Sequence, residues 1–223
     1  MSGSSSLDHP SYWWYAARTS LLETVLGPYV TPGARVLDVG SADGPSVAWL
    51  GDRVAVDIDI RGLRDGGVCA SAEALPFADA TFDIVSAFDV VEHCEHEHIA
   101  LSEFRRVCKP GGLVLLSVPA YQWLWSGFDV RAGHHRRYTR RRLRRAAARA
   151  GLLERRATYA FAATLPFFVA SRLLVKLSSS PATVQPLPAL IERVLLALTR
   201  LDGRLLRRTN LPAGSSVFYA GSR

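Results

Sequence analysis

Cysteine is scarce: the 223-residue chain has three thiols, Cys69, Cys94 and Cys108, at spacings that match neither a zinc-type C-x-x-C pair nor a disulfide framework. They are expected as reduced thiols in the core or on helices. Their scatter also leaves no iron–sulfur ligand set, which excludes radical chemistry built on one. Long apolar runs are missing as well. Two charge-free stretches, Pro110 to Phe128 and Ala157 to Ser171, fall short of the ~20 residues that cross a bilayer, and Pro119 and Pro166 interrupt them. No transmembrane helix is expected. The opening MSGSSSLDHP lacks the basic and apolar regions of a secretory signal, so the expected location is the cytoplasm. Lysine is nearly absent, and no internal repeat is evident.

What is present reads as a globular chain, with 48% hydrophobic and 21% charged residues. Its charge is strongly segregated. Residues 1–130 hold 17 acids and 8 bases, whereas residues 131–223 hold 3 acids and 19 bases, so −9 and +16 sum to the net +7. The stretch from Arg131 to Arg156 alone carries 11 Arg and one acid, Glu154. Such a patch suits nucleic acid, an anionic substrate, an anionic membrane surface or a solvated helix face.

Short β-rich runs alternate with helical patterns from Ala34 onward: ARVLDV, RVAVDI, GVCA, FDIVSAF and GGLVLLSV. Alternation of this kind predicts an α/β fold with a mostly parallel sheet. Two further strands are expected near Arg155–Ala162 and Ser216–Gly221, for seven in all. A helix precedes the sheet, roughly Ser11 to Leu26, and ends at Gly27-Pro28. KPGG at 109–112 is expected to end a helix near Glu95–Cys108 and turn into the fifth strand. Thr139 reads as the N-cap of RRRLRRAAARA, with Gly151 as its stop. Leu190, Ile191, Val194, Leu195, Leu198, Leu201 and Leu205 recur at helical spacing between arginines, the mark of a basic amphipathic helix. The expected organisation is one domain, 1–223: a lid helix in 1–30, a cofactor-binding core in 31–160, a helical basic embellishment in 161–212 and a final strand in 213–223.

The strongest local signal is VLDVGSADGPS at 36–46, a strand with an acid at Asp38 that runs into a glycine-rich turn and a helix. Glycine there lets backbone approach a ligand closely. VAVDID then places Asp57 at the end of the second strand, where an acid can bind ribose hydroxyls. An adenosine-containing cofactor follows from the pair. Ala42 and Pro45 break a G-x-G-x-x-G dinucleotide fingerprint, and no G-K-[ST] marks a P-loop. The acidic half-domain suits a cationic sulfonium better than a pyrophosphate.

VLDVGSADG, VAVDID, ALPFADATFDIVSAFDVVEH, EFRRVCKPGGLVLLSVPA and GHHRRYTRRRL together resemble the class I S-adenosylmethionine-dependent methyltransferases, in the branch called type 11. The resemblance implies a Rossmann-like seven-stranded sheet with the last strand antiparallel and helices on both faces. The cofactor, S-adenosylmethionine with S-adenosylhomocysteine as product, would lie over the carboxyl ends of the first, second and fourth strands. Asp38, Gly40, Ser41 and Ala42 would then border the methionine and adenosine, Asp57 and Ile58 the ribose and base, Ser71, Ala72 and Glu73 the adenine, and Phe88 and Asp89 the methionine. Ala42 and Ser71 stand where the family commonly has Gly and Asp.

SYWWYAAR looks like the lid helix of related enzymes. Trp13, Trp14 and Tyr15 can shield a sulfonium by cation–π contact, and Arg18 can pair the cofactor carboxylate. His134 or His135, with Tyr138, is the expected base for an acceptor proton. Trp13, His93, Tyr121, Trp123 and Trp125 are expected on the acceptor side. EHCEHEH at 92–98 scatters His93, Cys94, His96 and His98 around a helix start, so no metal is expected. The expected partner is a small, hydrophobic or lipid-linked acceptor, with peripheral binding to anionic membrane and no nucleic acid. Alternatives are RNA methylation along the arginine patch, a non-catalytic interaction protein, and a cyclase that keeps the cofactor.

Overall fold

The computed structural model describes residues 13–40, 45–63, 66–177 and 187–223. Ser41 and Ala42, both expected at the cofactor, lie outside the described residues. Helix α1 (Trp13–Leu26) buries Trp13, Ala17, Leu21, Leu22 and Val25, a face built on steps of four and three residues. Gly27-Pro28 opens a 3-10 turn, Gly27–Tyr29, that ends it.

Seven strands form one sheet: β1 (Val36–Val39), β2 (Arg53–Asp57), β3 (Val68–Cys69), β4 (Phe82–Phe88), β5 (Cys108–Pro119), β6 (Leu153–Ala160) and β7 (Ser216–Ser222). Their order is β3-β2-β1-β4-β5-β7-β6. β1 pairs in parallel with both β2 and β4, and β7 runs antiparallel between β5 and β6. The chain moves outward from β1 to β3 and returns to β4 on the other side of β1. That reversal opens a crevice at the carboxyl ends of β1 and β4. β1 and β7 are buried on both faces, which accounts for their runs of adjacent apolar residues, with Asp38 the one charged side chain in them.

The remaining elements are α2 (Glu97–Val107), α3 (Gly127–Ala132), α4 (Arg140–Arg149), α5 (Leu165–Leu177) and α6 (Ala189–Leu206). Thr139 caps α4 by accepting from the Arg142 N–H, and Gly151 beyond its end sits at φ +79°. The first crossover, which the sequence leaves short, is a 3-10 helix over Pro45–Leu50.

Two sequence expectations are corrected. KPGG is not a turn ahead of the fifth strand, because β5 starts at Cys108 and carries Lys109–Gly112 as a loop-out opposite Asp83: Phe82 pairs with Cys108, and Ile84 with Leu113. A Cβ on Gly112 would lie 2.7 Å from the Asp83 carbonyl oxygen and 2.8 Å from Cys108 Sγ, so the loop-out needs glycine there. Helix α6 also turns the other way from its sequence pattern. It buries Leu195, Thr199, Asp202 and Leu206 and exposes Leu190, Ile191, Val194, Leu201 and Leu205. Asp202 accounts for the rotation by accepting from the Ala163 N–H at 3.1 Å, just ahead of α5.

Candidate active site

Four strands leave the sheet at its carboxyl edge through left-handed residues. Gly40 after β1 has φ +74°, Asp89 after β4 +59°, Tyr121 after β5 +60° and Phe161 after β6 +63°. Each non-glycine residue there stores about 1–3 kcal/mol, which persists only where the surroundings over-determine it. Asp89 is held on three sides. Its N–H donates to the Ser117 carbonyl at 2.9 Å, Oδ1 accepts from the Ser117 hydroxyl at 2.8 Å, and Oδ2 lies 2.8 Å from Arg18 Nε as an ion pair without hydrogen-bond alignment.

The β2 side of this edge sets an acid beside an exposed apolar side chain. Asp57, at the tip of β2, is buried and accepts from the Asp59 N–H at 2.8 Å. Ile58 beside it is 64% exposed. Ser71 Oγ accepts from the Glu73 N–H, and Ala72 packs partly into the core. Phe88 closes the crevice floor and stacks on Trp49 at 6.1 Å.

Several expected contacts are committed elsewhere. Arg18 faces Asp89, so the two residues expected on the methionine side neutralise each other. Trp14 stacks on Phe161 at 6.0 Å and has the Arg18 guanidinium over its ring at 5.6 Å, while Trp13 packs in the core. Asp38 is buried within β1, where Oδ1 accepts from the Ser86 hydroxyl at 2.7 Å and Arg53 lies beside Oδ2. Glu73 Oε1 accepts the His96 N–H at the head of α2. Tyr138 is corrected from base to structural residue. It is fully buried, donates its hydroxyl to Glu97 at 2.6 Å and lies under Arg142, and burial followed by the Glu97 bond raises its pKa far above the ordinary value.

On the acceptor side, Tyr159, Tyr121 and Trp123 form a stacked ladder with centroid separations of 5.3 and 5.6 Å, and Trp123 is exposed at its end. Trp123 lies in a 3-10 turn, Gln122–Leu124, and Trp125, half-buried, caps its end. The basic motif after it is organised by an acid that the sequence reading passed over. Asp129, fully buried in α3, faces His134 Nδ1 at 2.9 Å and accepts from Arg137 Nε at 2.7 Å and the Ser126 N–H at 2.9 Å. Burial pushes the Asp129 carboxyl up, but the His134 and Arg137 bonds outweigh it and hold the group well below the carboxylate range. An ionised Asp129 accepts, so His134 Nδ1 donates, and in the neutral imidazole the lone pair then sits on Nε2.

His134 also belongs to a cluster that proximity in sequence does not reveal. Glu92, His93 and His134 bring one ligand atom each within 4.8 Å of one another, and the two imidazoles meet edge to face at 4.6 Å. Glu92 is 1% exposed, and neither carboxylate oxygen has a hydrogen-bond partner among the described residues. Burial, then the charge of Asp89, raises its pKa well above the usual range. His93 is exposed when the whole residue is counted, yet desolvation of its ring and then the neighbouring His134 pull its pKa down to about 4. His135 has an exposed side chain and joins the cluster only through its N–H, which donates to the Glu92 carbonyl. Glu92 adjoins His93 in VVEH, and that adjacency was the one sequence signal available for it.

Two other features sit apart from this edge. A cavity of about 600 Å³, lined by Glu23, Val30, Ala34, Trp49 and Asp52, lies beside the starts of β1 and β2 and away from the chemistry. Much of the arginine patch is used internally. Arg136 and Arg142 face Glu97, Arg137 holds Asp129, Arg144 bonds Glu154, and Arg156 donates to the Leu206 and Thr209 carbonyls. The three cysteines are unpaired thiols, with Cys94 and Cys108 buried as expected and Cys69 exposed. No helix among the described residues is long and apolar enough to cross a membrane.

Comparison with known proteins agrees with this geometry. The chain is 39% identical to the ubiquinone/menaquinone biosynthesis C-methyltransferase UbiE of Bordetella avium, over 42% of this chain and 48% of that one. It spans about half the length of the curated relatives it matches. Among solved structures, a methyltransferase from Thermotoga maritima superposes with a TM-score of 0.63 at 16% identity, covering 97% of this chain and 91% of that one. An S-adenosylmethionine-dependent methyltransferase from Archaeoglobus fulgidus gives 0.62 at 15%, covering 98% and 97%. The family profile described as a methyltransferase domain matches residues 15–153. With its seven-stranded sheet, its Asp57 tip and that match across more than half of its length, the chain belongs to the methyltransferase-domain family, of the class I, S-adenosylmethionine-dependent kind.

Proposed function

We propose that the protein transfers a methyl group from S-adenosylmethionine to a small, hydrophobic or lipid-linked acceptor, and that the acceptor's reacting atom lies between Asp89 and the Glu92–His93–His134 cluster. The observation that carries this reading is the cluster's position three residues beyond Asp89, with Glu92 buried and unpartnered where an acceptor proton would leave. The cofactor, when bound, supplies an activated methyl on a sulfonium. The chain's own residues hold, orient and dry the site. Asp57 would take the ribose hydroxyls and Ile58 one face of the base. Arg18 and Asp89, locked together by charge, fix α1 over the crevice, where Trp14 and Tyr15 meet at 5.3 Å and screen it from water. His134, turned by Asp129, presents Nε2 toward the acceptor proton; among the described residues no carboxylate orients the His135 ring in that way.

The acceptor's apolar character is argued from the Tyr159–Tyr121–Trp123 ladder and the exposed stripe of α6. The UbiE relative, a quinone-biosynthesis enzyme by name, points the same way. The exposed stripe and the flanking arginines also suit peripheral contact with anionic membrane. RNA as acceptor is disfavoured, because so many patch arginines are paired within the fold.

The test is calorimetric titration with S-adenosylhomocysteine, with nicotinamide dinucleotide as control, on the parent and Asp57→Ala. Micromolar binding of the first ligand alone, weakened at least tenfold in the variant, is the expected result. No binding by the parent would return the chain to a non-catalytic role. Flotation with anionic vesicles, lost on replacing Leu190, Val194 and Leu201 with Gln, tests the membrane contact, and an intact protein that stays with the aqueous fraction removes it.

A further inference from the structure

Glu92 is the most anomalous side chain among the described residues. Its carboxylate is buried, both oxygens lack hydrogen-bond partners, and the nearby cations are committed: Arg18 to Asp89 and Arg137 to Asp129. Buried carboxylates are ordinarily paired, hydrogen-bonded or bound to metal. Two histidines complete the surroundings. His134 gives Nδ1 to Asp129, so its neutral ring keeps the Nε2 lone pair for a ligand. The His93 ring meets it edge to face at 4.6 Å, and a neutral imidazole likewise carries one nitrogen lone pair. The Asp129–His134 contact is the outer-shell support that fixes the tautomer and ring orientation of a metal-binding histidine.

We propose that Glu92, His93 and His134 bind one divalent first-row metal ion at the acceptor side of the methyl-transfer site. Two imidazoles and one carboxylate suit Zn²⁺, Mn²⁺ or Co²⁺ better than Mg²⁺ or Ca²⁺, which take oxygen-only shells. Bonds of about 2.0–2.2 Å to such an ion put its ligand atoms roughly 3.3 Å apart. The three atoms, now within 4.8 Å, would reach that spacing by movements of roughly an ångström each. Three protein ligands leave a position open, as catalytic rather than structural sites do. The role assigned to that position rests on the methyl-transfer reading: it would receive an oxygen of the acceptor, holding it beside Asp89 and making its proton more acidic, and with the ion bound His134 would act as ligand in place of base. The site departs from the expectation of no metal, which considered His93 with Cys94, His96 and His98 and had no means of joining Glu92 to the distant His134.

The experiment uses the full chain, stripped with EDTA and dialysed, titrated calorimetrically with ZnCl₂, MnCl₂ and MgCl₂ in turn. Visible spectra with CoCl₂ report nitrogen ligation. One Zn²⁺ or Mn²⁺ per chain is expected, bound at least tenfold more tightly than Mg²⁺. His93→Ala and Glu92→Gln should each weaken it at least tenfold, and His98→Ala, at an exposed histidine of the same motif, should leave it unchanged. Absence of binding at millimolar ion, or equal losses in His98→Ala and His93→Ala, overturns the site. Thermal unfolding in EDTA checks that the variants fold, and if Glu92→Gln does not, His93→Ala at the surface still decides. S-adenosylhomocysteine binding on the same samples separates the two readings. Cofactor binding without metal binding overturns the site alone, and metal binding without cofactor binding supports the site while overturning methyl transfer.

Discussion

Gly40→Ala tests the tightest turn at the carboxyl edge. Gly40 has φ +74°, and a Cβ built there would lie 2.3 Å from Val90 Cγ2. A non-glycine residue in that conformation costs about 1–2 kcal/mol. Carbon atoms in contact prefer about 3.5–4.0 Å, so Val90 has to retreat by more than an ångström, and overpacking of that kind costs about 1–3 kcal/mol. The expected loss of unfolding free energy is the sum, about 2–5 kcal/mol, measured by urea titration followed by circular dichroism. Val90→Ala separates the two contributions. It removes Cγ2 and leaves the next contact, Val90 Cβ at 3.6 Å, an ordinary one. In that background Gly40→Ala should cost only the backbone share of about 1–2 kcal/mol, a coupling of about 1–3 kcal/mol. Equal costs in both backgrounds would refute the close approach. A loss under about 1 kcal/mol in the parent would refute the left-handed exit itself.

Asp129→Ala should cost about 3–5 kcal/mol, because it strands the buried Arg137 guanidinium and frees the His134 ring; a urea midpoint close to that of the parent would refute the role of Asp129 as organiser. The Glu103 carboxyl is held below its ordinary 4.5, chiefly by the Arg106 hydrogen bond, and Arg106 also donates to the Leu75 and Phe77 carbonyls. The unfolded chain therefore takes up the proton first, so this contribution is complete above the unfolded pKa and is lost as pH falls through the lower native one. The Tm gap between parent and Glu103→Gln should accordingly narrow from about pH 6 to about pH 3, and a gap that widens on acidification would contradict that assignment.

The parts of the fold that were legible in sequence are those set by local chemistry. VLDVG, VAVDID and FDIVSAF carry both the strand period and the turn that ends it, and Thr139 and Gly151 mark a helix by caps alone. Where local pattern competes with a distant partner, the pattern misleads. The apolar stripe of α6 predicts an inward face, but Asp202 bonding Ala163 N–H turns the helix so that much of the stripe meets solvent. KPGG has turn chemistry, yet Arg223 draws it into the strand by accepting from Gly111 and donating to Gly112. The candidate site divides the same way. Asp57 and Asp89 follow from their places at strand ends. Glu92, Asp129 and Tyr138 are decided by burial and by side chains far along the chain, so an aromatic hydroxyl beside two histidines looks reactive in sequence and is a structural bond to Glu97 in the fold.

The place of β7 in the sheet has a consequence for synthesis. β5 and β6 do not pair with each other; each pairs with β7, which is made after both. As the chain leaves the ribosome, β1 to β5 can assemble in order, while β6 waits without a hydrogen-bonded neighbour and β5 presents an open apolar edge. Closure comes only when Ser216–Ser222 emerges and threads between them. Pairings that long in sequence are slow to form and leave strand edges exposed to other nascent chains. In the cell, the last strand made thus decides when the sheet is finished, and chaperone demand should peak in the interval between α4 and β7.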